Sequence, residues 1–198
     1  MQKVEKIILA SASPRRRELL SNIGLNFEIV ESNFDEDSIK RDCGPCDLAK
    51  ILAFSKAKNV YERLDHGIVL GADTLVVLNN KVYGKPKDKR AAKRMLENLS
   101  DNVHYVITGM VLMDRKGQVL IDSDITKVFF RKLDKYDIDS YIETKDYIGK
   151  AGAYGIQGKG AVLIKKIEGS YSNVVGLSIE KLYSMFKEIG EDIYARWN

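Results

Sequence analysis

The residues best placed to do chemistry in this chain are two arginines that open a helix directly after a serine-rich turn. Ser11-Ala12-Ser13-Pro14-Arg15-Arg16 follows the apolar run Ile7-Ile8-Leu9-Ala10. A helix N-terminus presents unpaired N–H groups and a partial positive charge, which together suit an anion. Small serines let a phosphate come close and add hydroxyl donors, and arginine forks match phosphate oxygens. Cations at that end oppose the helix dipole, so a bound anion would offset their cost. A solvated basic turn is the plainer alternative. Gly71-Ala72-Asp73-Thr74 puts a carboxylate at what reads as the end of a buried strand beginning at Ile68. Ligand sites in open α/β sheets lie beyond strand C-termini. An aspartate there can hold a divalent metal or draw a proton from water, or it can simply form a turn.

Other candidates are more dispersed. Lys85 sits between Gly84 and Pro86, which fixes its backbone. Lys56 lies at helical spacing with Ala49, Ala53 and Val60, so it either snorkels to water or reaches a cleft. Glu36 belongs to the acidic run Asp35-Glu36-Asp37, which offers a second metal ligand or is merely solvated. The stretch Gly149–Gly160 is too rich in glycine for a helix and too long for a simple turn. Such loops often carry function, and Gln157 within it has an amide able to pair with a base edge. Cys43-Gly44-Pro45-Cys46 has the spacing of a thiol–disulfide exchange motif at a helix start. It follows the polar run from Asp37 to Asp42 rather than a buried strand, so two incidental thiols are the preferred reading.

Composition narrows the chemistry. At 198 residues, with 44% hydrophobic and 30% charged, the chain suits one globular domain of 1–198 with a substantial core. A net charge of +4 spread over mixed signs is weak for a nucleic-acid binder and suits an anionic small molecule equally well. Two His and two Cys are too few for a four-ligand zinc site, so any metal should be a hard cation held by carboxylates. No apolar run approaches the roughly 20 residues of a membrane span. The start, Met1 to Lys6, lacks the apolar region of a secretory signal, which points to the cytoplasm.

The elements that must position these residues are legible from period and punctuation. Strands are expected at residues 6–10, 27–30, 68–70 (extending again over 75–78), 81–83, 103–113, 119–130 and 161–167. Helices are expected from Pro14 to near Gly24, from Pro45 to about Leu64, after Asp88 through Leu99, from Asp134 to about Ile142, and over Ile179–Phe186 before Gly190. Asn79-Asn80 and Asp114–Gly117 read as turns. Strands alternate with helices early and a long hairpin comes late. The expected fold is α/β: a mixed, elongated β-sheet flanked by helices, in two lobes around a central cleft.

Five of these segments occur in the order and spacing of one family. Ser11–Arg16, Gly71–Thr74, Gly84-Lys85-Pro86, Ala151-Gly152-Ala153-Tyr154-Gly155-Ile156-Gln157-Gly158 and Gly169–Leu177 together resemble the Maf family across nearly the whole chain. The resemblance implies a nucleoside triphosphate pyrophosphatase that cleaves between the α and β phosphates with a divalent cation of the Mg²⁺ or Mn²⁺ class. It further implies a homodimer. The Ala151–Gly158 motif is similar to the branch acting on dTTP and UTP. Carried over, Ser11, Arg15, Arg16, Lys56 and Lys85 hold the triphosphate, Glu36 serves the metal, Asp73 is the general base, and Arg15, Thr74 and Gln157 set base choice. The family also carries a label in septum formation, which nothing in these residues explains. Ser178 stands where Pro is usual, and Asp101 where Gly is usual; both lie outside the chemistry. A thiol oxidoreductase using Cys43 and Cys46, or a nucleotide-binding regulator without turnover, are the alternatives.

Overall fold

The computed structural model describes residues 5–39 and 42–197. Met1–Val4, on which most of the leader reading rests, and Lys40-Arg41, within the run before Cys43, lie outside the described residues. The elements in order are β1 (Ile7–Leu9), α1 (Pro14–Asn22), β2 (Phe27–Ile29), α2 (Pro45–Tyr61), β3 (Ile68–Leu78), β4 (Lys81–Tyr83), α3 (Lys89–Leu99), β5 (Val103–Met113), β6 (Val119–Phe130), α4 (Lys135–Glu143), β7 (Ile164–Glu168), α5 (Tyr171–Val175) and α6 (Ile179–Glu188). The strands form one mixed sheet of seven, ordered β2-β1-β3-β5-β6-β7 with β4 paired to β3. β1 runs parallel to both β2 and β3, whereas β4 is antiparallel to β3 and β7 to β6. No helix among the described residues is long and apolar enough to cross a membrane.

Many boundaries have local causes. Asp88 accepts from Ala91 N–H at 2.6 Å and starts α3, and Asp134 with Asp137 forms a reciprocal capping box on α4. Asn79 and Asn80 both take positive φ (50° and 61°), the primed turn that matches strand twist. Asp114 Oδ1 accepts from the N–H groups of Lys116 and Gln118 to close the turn between β5 and β6. The two family departures are absorbed locally. Ser178 caps α6 by accepting from Lys181 N–H at 3.5 Å, and Asp101 adopts the left-handed φ of 58° for which Gly is the usual residue.

The chain divides into two compact units. The first holds the described residues through Asp73, Thr108–Asp124 and those from Gly176 on. Its central strands, β1 with the adjoining parts of β3 and β5, are buried on both faces. Ile7, Leu9, Ile68, Leu70, Met110 and Leu112 meet Leu20, Leu182 and Phe186 on one side. Ile8, Ala10, Val69, Val111 and Met113 meet Ala53, Ala57 and Val60 of α2 on the other. The second unit holds Thr74–Ile107 and Ile125–Val175. Its core joins Val76, Leu96, Leu99, Val106, Val128, Phe130, Ile142 and Tyr154.

Two expectations need correction, and two local features add to them. Asp73 is not at a strand end: β3 runs unbroken from Ile68 to Leu78, with β1 paired along Ile68–Leu70, β4 along Val76–Leu78 and β5 as its other neighbour, so the polar pair Asp73-Thr74 is carried through between the two shorter ladders. The ladder from β1 does stop there, its last bond running from Ala10 N–H to the Leu70 carbonyl. β7 begins at Ile164 rather than 161, since residues 158–163 coil into a short 3₁₀ turn. Ser13 occupies the N-cap position of α1 but makes no side-chain cap; its own N–H donates to Ser11 Oγ at 3.2 Å. The short helix α5 within Gly169–Leu177 had no periodic signal to announce it.

Candidate active site

The first unit gathers six of the sequence candidates: Ser11, Arg15, Arg16, Glu36, Lys56 and Asp73. The packing of α2 explains the central contact. Ala49, Ala53 and Ala57 form a small-residue stripe at i, i+4 and i+8 that faces the sheet. A Cβ on Gly71 would lie 2.5 Å from the Ala53 carbonyl oxygen, and one on Gly109 would overlap the Ala49 carbonyl. The two glycines therefore let the helix sit directly on β3 and β5. Lys56, one residue before Ala57, is then carried over Asp73, two residues beyond Gly71.

Lys56 Nζ lies 2.5 Å from Asp73 Oδ1 and 2.8 Å from Glu36 Oε1, so one ammonium bridges two carboxylates. The Lys56 and Asp73 side chains are only 14% and 10% exposed, whereas Glu36 is 42% exposed. Burial removes most of the screening that makes surface pairs weak, so the Asp73–Lys56 contact is the strong limb of the trio. Glu36 opens a 3₁₀ turn, Glu36–Ser38, whose start is capped by Asp35; Asp35 and Asp37 remain at the surface.

Arg16 is fixed by a different set of bonds. Its Nη1 donates to Ser11 Oγ at 3.0 Å, and its Nε donates to the Gly176 carbonyl at 2.8 Å. Burial pushes the guanidinium below its ordinary pKa, and the nearby charges of Asp73 and Glu36 oppose that shift while Arg15 adds to it. These couplings tie the serine–arginine turn electrostatically to the carboxylate pair. Ser11 Oγ accepts twice, from Arg16 and from Ser13 N–H, so its hydroxyl proton is what remains to reach an anionic oxygen. The sequence reading missed the Gly176 carbonyl as the second anchor of Arg16; it lies 160 residues away with no local signal.

Glu36 and Asp73 fit a hard divalent cation. Two carboxylate oxygens converge on one cationic point, and Mg²⁺-type ions use one or two carboxylates with substrate phosphates and water completing the shell. Among the described residues no group of three or more His, Cys, Asp or Glu side chains comes together, so such a shell would need the substrate's oxygens.

Thr74, Lys85 and Gln157 belong to the second unit. Lys85 is exposed, while Thr74 and Gln157 are half-buried. The Lys85 segment is tied to the glycine-rich loop by Gly152 N–H donating to the Gly84 carbonyl at 3.1 Å. A Cβ on Gly152 would meet Val76 Cγ1 at 2.9 Å, which is why only glycine passes there. Cys43 and Cys46 are free thiols flanking the start of α2, with Gly44 at the N-cap and Pro45 at the first helical position.

This arrangement, a mixed α/β sheet bearing a serine–arginine turn against a lysine-bridged carboxylate pair, has donors suited to an anion and a carboxylate able to draw a proton from water. The Maf-like protein family matches residues 6–189, and the chain belongs to that family. A relative from Thermoanaerobacter sp. (strain X514), named dTTP/UTP pyrophosphatase, is 50% identical over 92% of this chain and 95% of its own length. One of the same name from Clostridium botulinum (strain Kyoto / Type A2) is 46% identical over 96% of this chain and all of its own. The fold is also that of the Staphylococcus aureus Ham1 protein, with a TM-score of 0.53 at 15% identity, covering 94% of this chain and 100% of that one.

Proposed function

We propose that the protein hydrolyses dTTP and UTP to the nucleoside monophosphate and pyrophosphate, acting as a single pyrophosphatase domain. The observation that carries this is the meeting of Asp73, Lys56 and Glu36 beside the Ser11–Arg16 turn. The names of relatives at 46–50% identity support the substrate assignment. Arg15, Arg16, Lys56 and Lys85 neutralise the triphosphate, which is the main work in phosphoryl-type transfer. Ser11 donates a hydrogen bond from its hydroxyl to a phosphate oxygen. Asp73 accepts a proton from the water that attacks the α-phosphorus, and the bond to the bridging oxygen breaks so that pyrophosphate leaves. A Mg²⁺- or Mn²⁺-class ion held by Glu36 and Asp73 would supply further charge neutralisation. Thr74 and Arg15 help place the nucleoside, and Gln157 reads the base. Uracil and thymine offer a carbonyl beside an N–H, which one orientation of the Gln157 amide matches and cytosine reverses. The protein works in the cytoplasm, and it does so as a homodimer, the state that the family resemblance implies.

The test is product identification. Purified protein is incubated with dTTP, UTP, CTP and GTP in Mg²⁺ or Mn²⁺, and products are resolved by ion-exchange chromatography. Monophosphate with pyrophosphate, fastest from dTTP and UTP, is expected. Orthophosphate with the diphosphate, or tight binding without turnover, would refute the proposal.

A further inference from the structure

The second unit buries an imidazole and a phenol that the proposed reaction does not use. His104 on β5 and Tyr154 in the glycine-rich loop are 0% and 5% exposed, and His104 Nε2 lies 2.7 Å from the Tyr154 hydroxyl. Phe130 on β6 packs edge-on against both rings, with centroids 5.0 Å from His104 and 4.8 Å from Tyr154. The other imidazole nitrogen, Nδ1, is buried with no hydrogen-bond partner among the described residues, so the ring's whole polar commitment is to Tyr154. Burial lowers the imidazole to about 3, which keeps it neutral and able to share a single proton with the phenol at neutral pH.

The position of this bond gives it meaning. Residues 154–157 have no helix or strand to hold them. On one side the loop is pinned through Gly152 to the Gly84 carbonyl. Along its middle, the Lys150 side chain, paired with Asp146 at 2.5 Å, lies where a Cβ on Gly155 would meet Lys150 Cε at 3.0 Å. The Tyr154 hydroxyl is a buried polar anchor of the loop to the sheet, and Gln157 follows three residues later.

We propose that the His104–Tyr154 hydrogen bond latches the glycine-rich loop in the shape that lets Gln157 discriminate the base, making both positioning residues for base selectivity. This rests on the reading that Gln157 faces the base. Tyr154→Phe keeps the ring and its contact with Phe130 and removes only the hydroxyl. His104→Leu removes the partner, and His104→Gln offers an amide in its place. Three measurements are made on each: kcat/KM for UTP and CTP, inhibition by tripolyphosphate, which has phosphates but no base, and amide hydrogen exchange of residues 151–158 without nucleotide. Tyr154→Phe and His104→Leu should lower the UTP-to-CTP preference by about five- to tenfold, the equivalent of one buried hydrogen bond. They should speed loop exchange and leave tripolyphosphate inhibition unchanged, and His104→Gln should restore most of the preference. Unchanged loop exchange would overturn the latch, as would a loss of selectivity matched by an equal loss of tripolyphosphate binding. If the wild type turned over no nucleotide, the pyrophosphatase reading would fall while loop exchange still decided the latch.

Discussion

Replacing His104 by Gln should flatten the acid side of the stability curve. His104 is fully buried on β5, and burial lowers its pKa from 6.5 to about 3. Between those values the unfolded chain binds a proton that the folded chain refuses, so stability is full above the unfolded value and falls as the pH drops toward 3. Each pH unit inside that window is worth at most about 1.4 kcal/mol, so the loss reaches about 2 kcal/mol at pH 5. That is a large share of the 5–15 kcal/mol typical of a folded domain. The carboxylates complicate only the lower range: Asp139, held to about 2 by Lys135 and Lys93, releases its contribution below its ordinary 3.8. Urea unfolding of wild type and His104→Gln, followed by circular dichroism at intervals from pH 8 to pH 5, isolates the term as a difference of slopes. His104→Gln should be less stable at pH 8 yet lose markedly less on acidification. Parallel curves for the two proteins would refute the buried neutral imidazole.

Three further outcomes are expected. Asp73→Asn should fold, as judged by circular dichroism, and lose about 10²- to 10⁴-fold in kcat if Asp73 is the base; near wild-type turnover of dTTP would remove it from that role. Gln157→Ala should narrow the preference for UTP over CTP in kcat/KM, and an unchanged ranking would mean that another group reads the base. Cys43→Ser combined with Cys46→Ser should leave hydrolysis and Tm intact, because both thiols are free and the ion pairs of Lys56 with Asp73 and Glu36 do not involve them; loss of activity at unchanged Tm would contradict this.

Local signals in the chain decided most of the elements and named the residues proposed for the site. Asp88 and Asp134 announce helix starts, Asn79-Asn80 a primed turn, and the apolar runs either side of the Asp114–Gly117 turn the long strands β5 and β6, because each of these depends on neighbours a few residues away. One missed residue had such a signal: His104 lies on the inward parity of β5 with Val106 and Thr108, which are also buried. The pairings themselves were beyond local reach. That Lys56 bridges Asp73 and Glu36 rather than pointing to water follows from how closely α2 can approach β3 and β5, which Gly71 and Gly109 permit only once the sheet exists. That Arg16 is held by the Gly176 carbonyl, and Tyr154 by His104, follows from chain segments 160 and 50 residues apart being brought together by burial. Motif spacing names the groups proposed to handle a phosphate. Their partners, and with them their charge and orientation, are set by packing, since an ion pair or buried hydrogen bond depends on distances of a few ångströms that no sequence period encodes.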